Sequence, residues 1–161
     1  AWRVGALTGL TAQASVAWLD AEITDSDTVG LTPLGEELPI EGLDRSYAPE
    51  WSTTLQLRYE RNITERFIGA IQLDYSWRDD LETKDSTLSL LDYAGASEDS
   101  YGLLNARLSL TAADDRWTVA VMGKNLTDEQ YWVSASGDDL GSYPSLPGRP
   151  RHWFVEGTYR W

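Results

Sequence analysis

The only histidine, His152, is the side chain best suited to acid–base chemistry near neutral pH. A histidine acts as a general acid or base when an acidic group orients it and a nucleophile such as serine lies beside it. The sequence has no nucleophile-elbow pattern around a serine and no cysteine, and one histidine cannot supply a multi-histidine metal site. We therefore predict no catalytic residue, no metal, no cofactor and no enzyme activity, and we expect His152 to be a hydrogen-bonded wall residue.

Four polar residues could instead contact a ligand, namely Arg78, Tyr101, Lys124 and His152. The two cations among them, Arg78 and Lys124, would attract an anionic chelate. The alternative is that they only solvate a wall and pair with neighbouring carboxylates such as Asp74 or Glu156.

Two acidic pairs, Asp25 with Asp27 and Asp138 with Asp139, could bind a cation through loop carboxylates. Neither stretch has the full spacing of a calcium loop, so solvated loops are the expectation. The length of 161 residues indicates one domain. The net charge of −13 argues against nucleic acid as a partner, because such a surface needs a basic stripe.

The last eleven residues, 151–161, alternate between two kinds of side chain. Trp153, Val155, Gly157, Tyr159 and Trp161 would share one face of a strand, and mostly polar residues would share the other. An apolar face with an aromatic at each end is typical of the lipid side of a transmembrane β-strand. The alternative is an amphipathic edge strand of a soluble sandwich.

The same alternation recurs along the chain. It predicts strands at 11–23, 51–60, 66–78, 101–111, 116–125 and 153–161, with the end of another strand at 1–6. The connections alternate between short turns (7–10, 62–65, 112–115) and long loops (24–48, 79–100, 126–150). Outer-membrane barrels keep this rhythm, with short periplasmic turns and long outer loops.

The rhythm also orients every strand, and two rows of aromatics follow from it. The row predicted at the long-loop ends is Trp18, Trp51, Trp77 and Trp153, and the row at the short-turn ends is Tyr59, Phe67, Trp117, Tyr159 and Trp161. Core packing would explain any one aromatic, but it does not explain a consistent placement in two rows.

The C-terminal third resembles the end of TonB-dependent outer-membrane receptors. The resemblance is carried by Asn125-Leu126-Thr127-Asp128-Glu129-Gln130-Tyr131, by Pro147-Gly148-Arg149-Pro150-Arg151 and by the final aromatic strand. Trp18-Leu19-Asp20-Ala21-Glu22, Ala48-Pro49-Glu50-Trp51 and the stretch 101–107 are also similar to this family, so the resemblance covers essentially the whole chain. By itself, the stretch around Gly148 also has a local explanation: prolines direct the chain and the glycine allows a turn.

The resemblance implies an all-β, antiparallel up-and-down transmembrane barrel of about 22 strands, of which residues 1–161 would be the last six to seven. It implies a bacterial outer-membrane location and uptake of a scarce nutrient such as a ferric siderophore. The implied partners are outer-membrane lipid, the nutrient or chelate, the barrel-assembly machinery through the C-terminal strand, and a TonB-type energy transducer through an N-terminal plug. No candidate plug is present in this sequence, so we expect a segment of a receptor.

Two other readings remain open from the sequence. One is a small self-contained outer-membrane barrel of about eight strands that acts as an adhesin or membrane enzyme. The other is a soluble β-barrel that binds a lipophilic ligand, in which the apolar face would point inward.

Overall fold

The structure is a computed structural model and describes residues 2–3, 8–25, 29–31, 37–39, 41–42, 44–82, 97–135 and 145–161. Its regular elements are all β-strands: β1 (Trp2–Arg3), β2 (Leu10–Trp18), β3 (Val29–Leu31), β4 (Glu37–Pro39), β5 (Trp51–Thr64), β6 (Phe67–Arg78), β7 (Leu81–Glu82), β8 (Ser97–Glu98), β9 (Tyr101–Ala112), β10 (Trp117–Lys124), β11 (Trp132–Ala135), β12 (Ser145–Pro147) and β13 (His152–Tyr159). Among these residues no helix is long and apolar enough to cross a membrane.

Seven of these strands form one antiparallel sheet in the order β1-β2-β5-β6-β9-β10-β13. Each strand pairs with the next long strand along the chain, which is the meander that the alternating short and long connections predict. The all-β, antiparallel prediction is therefore confirmed. Strands β1 and β13 lie at opposite edges and do not pair with each other, so the described sheet is not a closed barrel.

The register keeps apolar residues together on one face across the sheet. Leu57 lies opposite Leu73, Leu73 opposite Ala106, and Ala106 opposite Gly123. Because side chains alternate faces along a strand, the residues one position on must share the other face, and they are mostly polar. A slip of one residue would exchange the two faces, so the alternation in sequence excludes registers that are shifted by an odd number of residues.

Backbone geometry explains the short turn before β2. Gly9 has a φ of 101°, which side-chain-bearing residues rarely adopt, and its carbonyl oxygen accepts a hydrogen bond from the Glu60 backbone at 2.9 Å. A Cβ at this position would lie 2.0 Å from the Glu60 carbonyl oxygen. Both the positive φ and the close approach of the two backbone segments therefore require glycine.

Three predicted boundaries are wrong. The turn expected at 62–65 is shorter, because β5 continues to Thr64 through an irregularity in its pairing between Asn62 and Thr64. The strand expected over 11–23 ends at Trp18. The last strand ends at Tyr159 and not at Trp161.

The long loops are more regular than the sequence suggests. Each carries a short two-stranded pairing: β3 with β4, β7 with β8, and β11 with β12. Strands of two to four residues are too short to produce a period, so alternation could not reveal them.

Candidate functional site

The apolar face is the more exposed face of the sheet. Val155 is 71% exposed and Leu108 is 61% exposed, although both lie in the middle of paired strands. On the opposite face, Ser109 is 8% exposed and Ala120 is 1% exposed. A sheet that packs its apolar face on a core in water has the reverse distribution.

Eight of the nine aromatics in the two predicted rows lie in strands of this sheet, on its apolar face and toward its two ends, and Trp161 lies beyond the end of β13. Trp18 lies opposite Trp51 in the register, with their ring centroids 6.4 Å apart. At the turn end, the rings of Phe67 and Trp117 are 5.7 Å apart, and Trp117 lies opposite Tyr159. Trp18 and Trp51 lie on neighbouring strands, as do Trp117 and Tyr159, whereas the rings of Phe67 and Trp117 meet across the intervening strand β9.

One residue of the long-loop row, Trp18, also makes a hydrogen bond at its polar edge. The indole Nε1 of Trp18 donates to Glu50 Oε1 at 2.9 Å. A ring that is apolar over its body and hydrogen-bonded at one edge suits a boundary between a wet and an apolar environment.

Side-chain hydrogen bonds tie the polar face together across strands. Asp74 Oδ1 accepts from Gln56 Nε2 at 2.7 Å and from Gln72 Nε2 at 3.0 Å. Farther along the sheet, Arg107 Nη2 donates to Glu156 Oε1 at 2.7 Å. Asp74 and Glu156, the carboxylates suggested as partners of Arg78 and Lys124, thus pair with other side chains. That pairing prediction is wrong among the described residues.

Two of the four predicted ligand-path residues form a stack. The guanidinium carbon of Arg78 lies 4.5 Å from the ring centroid of Tyr101, which is cation–π geometry. The Tyr101 ring stacks on Tyr131 with centroids 4.6 Å apart. The Nε of Arg78 is buried and has no hydrogen-bond partner in the described chain. Arg78 therefore rests on an aromatic ring and makes no ion pair with a described carboxylate.

The other two predicted residues, Lys124 and His152, lie opposite each other on β10 and β13. The ring Nδ1 of His152 lies 2.8 Å from the Pro150 carbonyl oxygen. Since a carbonyl oxygen only accepts, Nδ1 must carry the hydrogen, as expected for a hydrogen-bonded wall residue. Lys124 makes no ion pair within the part of the chain that the structure describes. The structure thus divides the predicted set into two pairs.

The first stretch that resembles the receptor family, residues 125–131, forms a hydrogen-bond network around Asn125. This residue is 3% exposed and has a φ of 51°, a left-handed conformation that asparagine tolerates better than most residues. Its Nδ2 donates to the carbonyl oxygens of Glu129 at 2.8 Å and Arg149 at 3.1 Å, and its Oδ1 accepts from the Glu129 backbone at 2.9 Å. Asn105 Oδ1 accepts from the Asn125 backbone at 3.0 Å.

Two further residues of the family-like stretches join the ends of the third long loop. Asp128 Oδ1 accepts from the Arg151 backbone at 2.9 Å, and the Arg151 guanidinium lies 3.7 Å from Asp128 Oδ2. Arg151 Nη1 also lies 3.5 Å from the carbonyl oxygen of Leu126. These residues make structural contacts that fix where β13 begins.

Gly148 has a role that differs from the predicted one. It does not have a positive φ, and its backbone donates to the Tyr131 carbonyl at 2.7 Å. A Cβ on Gly148 would lie 2.2 Å from the Tyr131 ring. Glycine is therefore needed because an aromatic ring packs on its backbone. The flanking Pro147 and Pro150 lie with Gly148 along one small hollow of about 390 Å³ beside Tyr131.

Sequence reasoning missed Glu98, which joins two long loops. It is buried in the small β7–β8 pairing, and its Oε1 accepts from the backbone of Trp132 in β11 at 3.0 Å. No local pattern marks this glutamate among the other loop acids, because its partner lies 34 positions away. Together with the Tyr101–Tyr131 stack, this bond connects the bases of the second and third long loops.

The acidic pairs weighed as cation ligands lie mostly outside the described residues. No group of three or more histidine or acidic side chains in the described part of the chain could hold a metal ion. Asp27, Asp138 and Asp139 lie outside the described residues. Comparison of the chain with protein-family models, with curated proteins and with solved structures found no match.

Proposed function

We propose that this chain is part of the barrel wall of a TonB-dependent receptor in the bacterial outer membrane, and that the receptor takes up a scarce nutrient such as a ferric siderophore. The observation that carries the proposal is the exposed apolar face bounded by an aromatic row at each end. Lipid is the solvent that favours this arrangement, because it covers apolar side chains and leaves interfacial rings partly wet.

The strand lengths support a membrane-spanning role. β6 and β9 each contain 12 residues. At about 3.3 Å per residue and a tilt of about 40°, such a strand rises by about 28 Å. The apolar band of an outer-membrane barrel is about 25 Å tall, so these strands are long enough to cross it.

The polar face supports the same proposal. Its ladder of amides, carboxylates and guanidinium groups is typical of the wall of a water-filled or plugged lumen. A soluble barrel that binds a lipophilic ligand would need the apolar residues on its inner, less exposed face. The observed exposures are the reverse, and they favour lipid outside and water inside.

The family-like stretches add support of a different kind. The hydrogen-bond network around Asn125 and the contact of Tyr131 with Gly148 give most of the matching residues a structural reason to occur together. They join the long-loop ends of β10 and β13, which are neighbours in the sheet. We propose on this basis that a plug and further strands belong to the same receptor, and that a TonB-type transducer supplies its energy through that plug.

The test uses the native polypeptide that contains this sequence. Outer and inner membranes are separated, and the intact mass of that polypeptide is measured in each fraction. We expect it in the outer membrane with a mass several-fold above 18.0 kDa. It should also migrate faster on a denaturing gel before heating than after, as a folded barrel does.

Other results would reject the proposal in distinct ways. A polypeptide of about 18 kDa in the outer membrane would indicate a small self-contained barrel. A polypeptide recovered in a soluble fraction would remove the membrane assignment. Nutrient uptake that survives collapse of the proton-motive force would leave a barrel but remove the energy-coupled transport.

A further inference from the structure

An open cleft lies on the polar face, between β9, β10 and the paired strands β11 and β12. Its volume is about 690 Å³. Pockets for small molecules typically measure about 300–1,000 Å³, so the cleft could hold an organic molecule of moderate size. The cleft includes two of the four residues predicted to contact a ligand, Lys124 and His152, and leaves Arg78 and Tyr101 outside its lining.

The charge of this cleft is opposite to that of the chain. The sequence holds 26 acidic and 13 basic residues, yet none of the described residues that line the cleft is an acid. Lys124, Arg149 and His152 line it, together with the amides of two asparagines. Random placement on this chain would favour carboxylates, and a cation with no paired carboxylate favours an anion from solution.

The other side of the cleft is apolar. Leu103, Val133, Leu146 and Pro147 line it, with the ring of Tyr131. Leu146 is 58% exposed although it lies in the paired strand β12. These side chains lie on the polar side of the sheet, so the lipid that we propose for the apolar face would not cover them.

We propose that this cleft binds a small amphipathic organic anion, with its anionic head at Lys124 and Arg149 and its apolar body against Leu103, Val133 and Leu146. The proposal rests on the proposed function, because it takes this molecule to be the transported nutrient or the apolar, acidic part of it. His152 contributes a ring whose Nδ1 already donates to Pro150, which leaves Nε2 for a ligand.

The contacts around the cleft support a preformed site. Asn125 lines it and is held by three side-chain hydrogen bonds to backbone groups. Tyr131 is held on one side by the Tyr101 ring and on another by the backbone of Gly148. A wall fixed in this way loses little conformational entropy when a ligand binds.

The test uses two fluorescent probes with the same ring and tail but different heads, 1-pyrenebutyrate and 1-pyrenebutanol. The intact receptor is purified from the outer membrane in a non-ionic detergent, and the dissociation constant of each probe is measured by fluorescence anisotropy. We expect saturable binding of both probes, with the carboxylate binding more tightly.

Two variants separate the parts of the site. Lys124→Gln should weaken pyrenebutyrate binding about tenfold or more, the effect of losing a charge-assisted hydrogen bond, and should leave pyrenebutanol binding unchanged. Leu146→Ser should weaken both probes. Unchanged pyrenebutanol binding to Lys124→Gln also shows that this variant is folded.

Arg58→Gln is the matched control, because it removes one positive charge from the polar face outside the cleft. Arg58 pairs with Glu60 at 2.6 Å. If Arg58→Gln weakened pyrenebutyrate binding as much as Lys124→Gln, net charge would explain the effect and the proposal would be overturned. A lack of saturable binding would also overturn it. Each of these results is obtained on a receptor already located in the outer membrane, so it leaves the proposed function standing. A polypeptide absent from that membrane would reject the proposed function by itself.

Discussion

The two faces of the seven-stranded sheet invert the distribution found in a soluble sheet. On one face, valine and leucine side chains such as Val155 and Leu108 are exposed, and no described part of the chain packs over them. On the other face, polar side chains bond to each other across strands and cover small residues such as Ala120 and Ser109. The side-chain contacts that connect the strands therefore lie mainly on the polar face. The comparison teaches that the apolar face needs a partner from outside the described chain, which is lipid under our proposal.

The strongest way to break this comparison is a charge on the apolar face. Leu108→Arg should destabilise the protein in lipid by about 2–4 kcal/mol, because it buries a guanidinium near the bilayer centre. Ser15→Arg, an exposed position on the polar face of β2, is the control and should change stability by less than about 0.5 kcal/mol. The measurement is denaturant unfolding of the intact protein folded into vesicles.

Equal tolerance of both arginines would contradict a lipid-covered face. Equal loss in both would indicate that each face packs on protein, which would also reject the comparison.

A change of side-chain size tests the opposite face. Ala120→Leu should cost about 1–3 kcal/mol, because the site is buried on the polar face and extra methyl groups force their neighbours apart. Ala120 lies opposite Glu156, whose carboxylate pairs with Arg107, so these side chains would have to move. Val119→Leu, one residue away on the exposed face, should have almost no effect. Unfolding free energies of the two variants provide the check, and similar values would show that the faces do not differ in packing.

Two glycines sharpen the contrast further. Gly148→Ala should destabilise the protein by about 1–2 kcal/mol, because the new methyl group would meet the Tyr131 ring. Gly157→Ala, on the apolar face, meets nothing within 4 Å and should be neutral or slightly stabilising. Thermal unfolding compares the two, and hydrogen exchange around Tyr131 should rise only in the first variant. Protection that stays unchanged in Gly148→Ala would remove the proposed role of this contact.

The smallest effect is expected at the ion pair on the polar face. Glu156→Gln should lower the free energy of unfolding only slightly, because both partners remain partly exposed to solvent. The loss should shrink as the salt concentration rises, since salt screens exposed charges. A large loss of stability that is independent of salt would mean that the pair is buried, and the polar face would then not line a wet lumen.

Sequence reasoning located the long strands because side-chain direction along a strand is a local property. The alternation around Leu73 or Val121 fixes which face each residue occupies before any partner strand is known. It failed at strand ends, as at Trp18 and Ile63, where pairing with a neighbour decides how far the strand continues. It also failed in the long loops, where the paired segments are only two to four residues long.

The candidate site was predicted in part. Lys124 and His152 were named, because both stood at the long-loop end of the polar face. The apolar wall at Val133 and Leu146 was missed, because these residues lie in a loop with no period. Glu98 and Asn105 were missed for another reason, since their hydrogen-bond partners lie 34 and 20 positions away.

The sequence by itself determined the antiparallel meander and the placement of the aromatics along its strands, because both follow from a period of two and the lengths of the connections. Only the tertiary structure decided which charged groups remain without a carboxylate partner. Arg78 meets an aromatic ring, Arg107 takes Glu156, and Lys124 is left beside an apolar wall. Those outcomes depend on residues far apart in the chain meeting across strands, and no local pattern encodes such meetings.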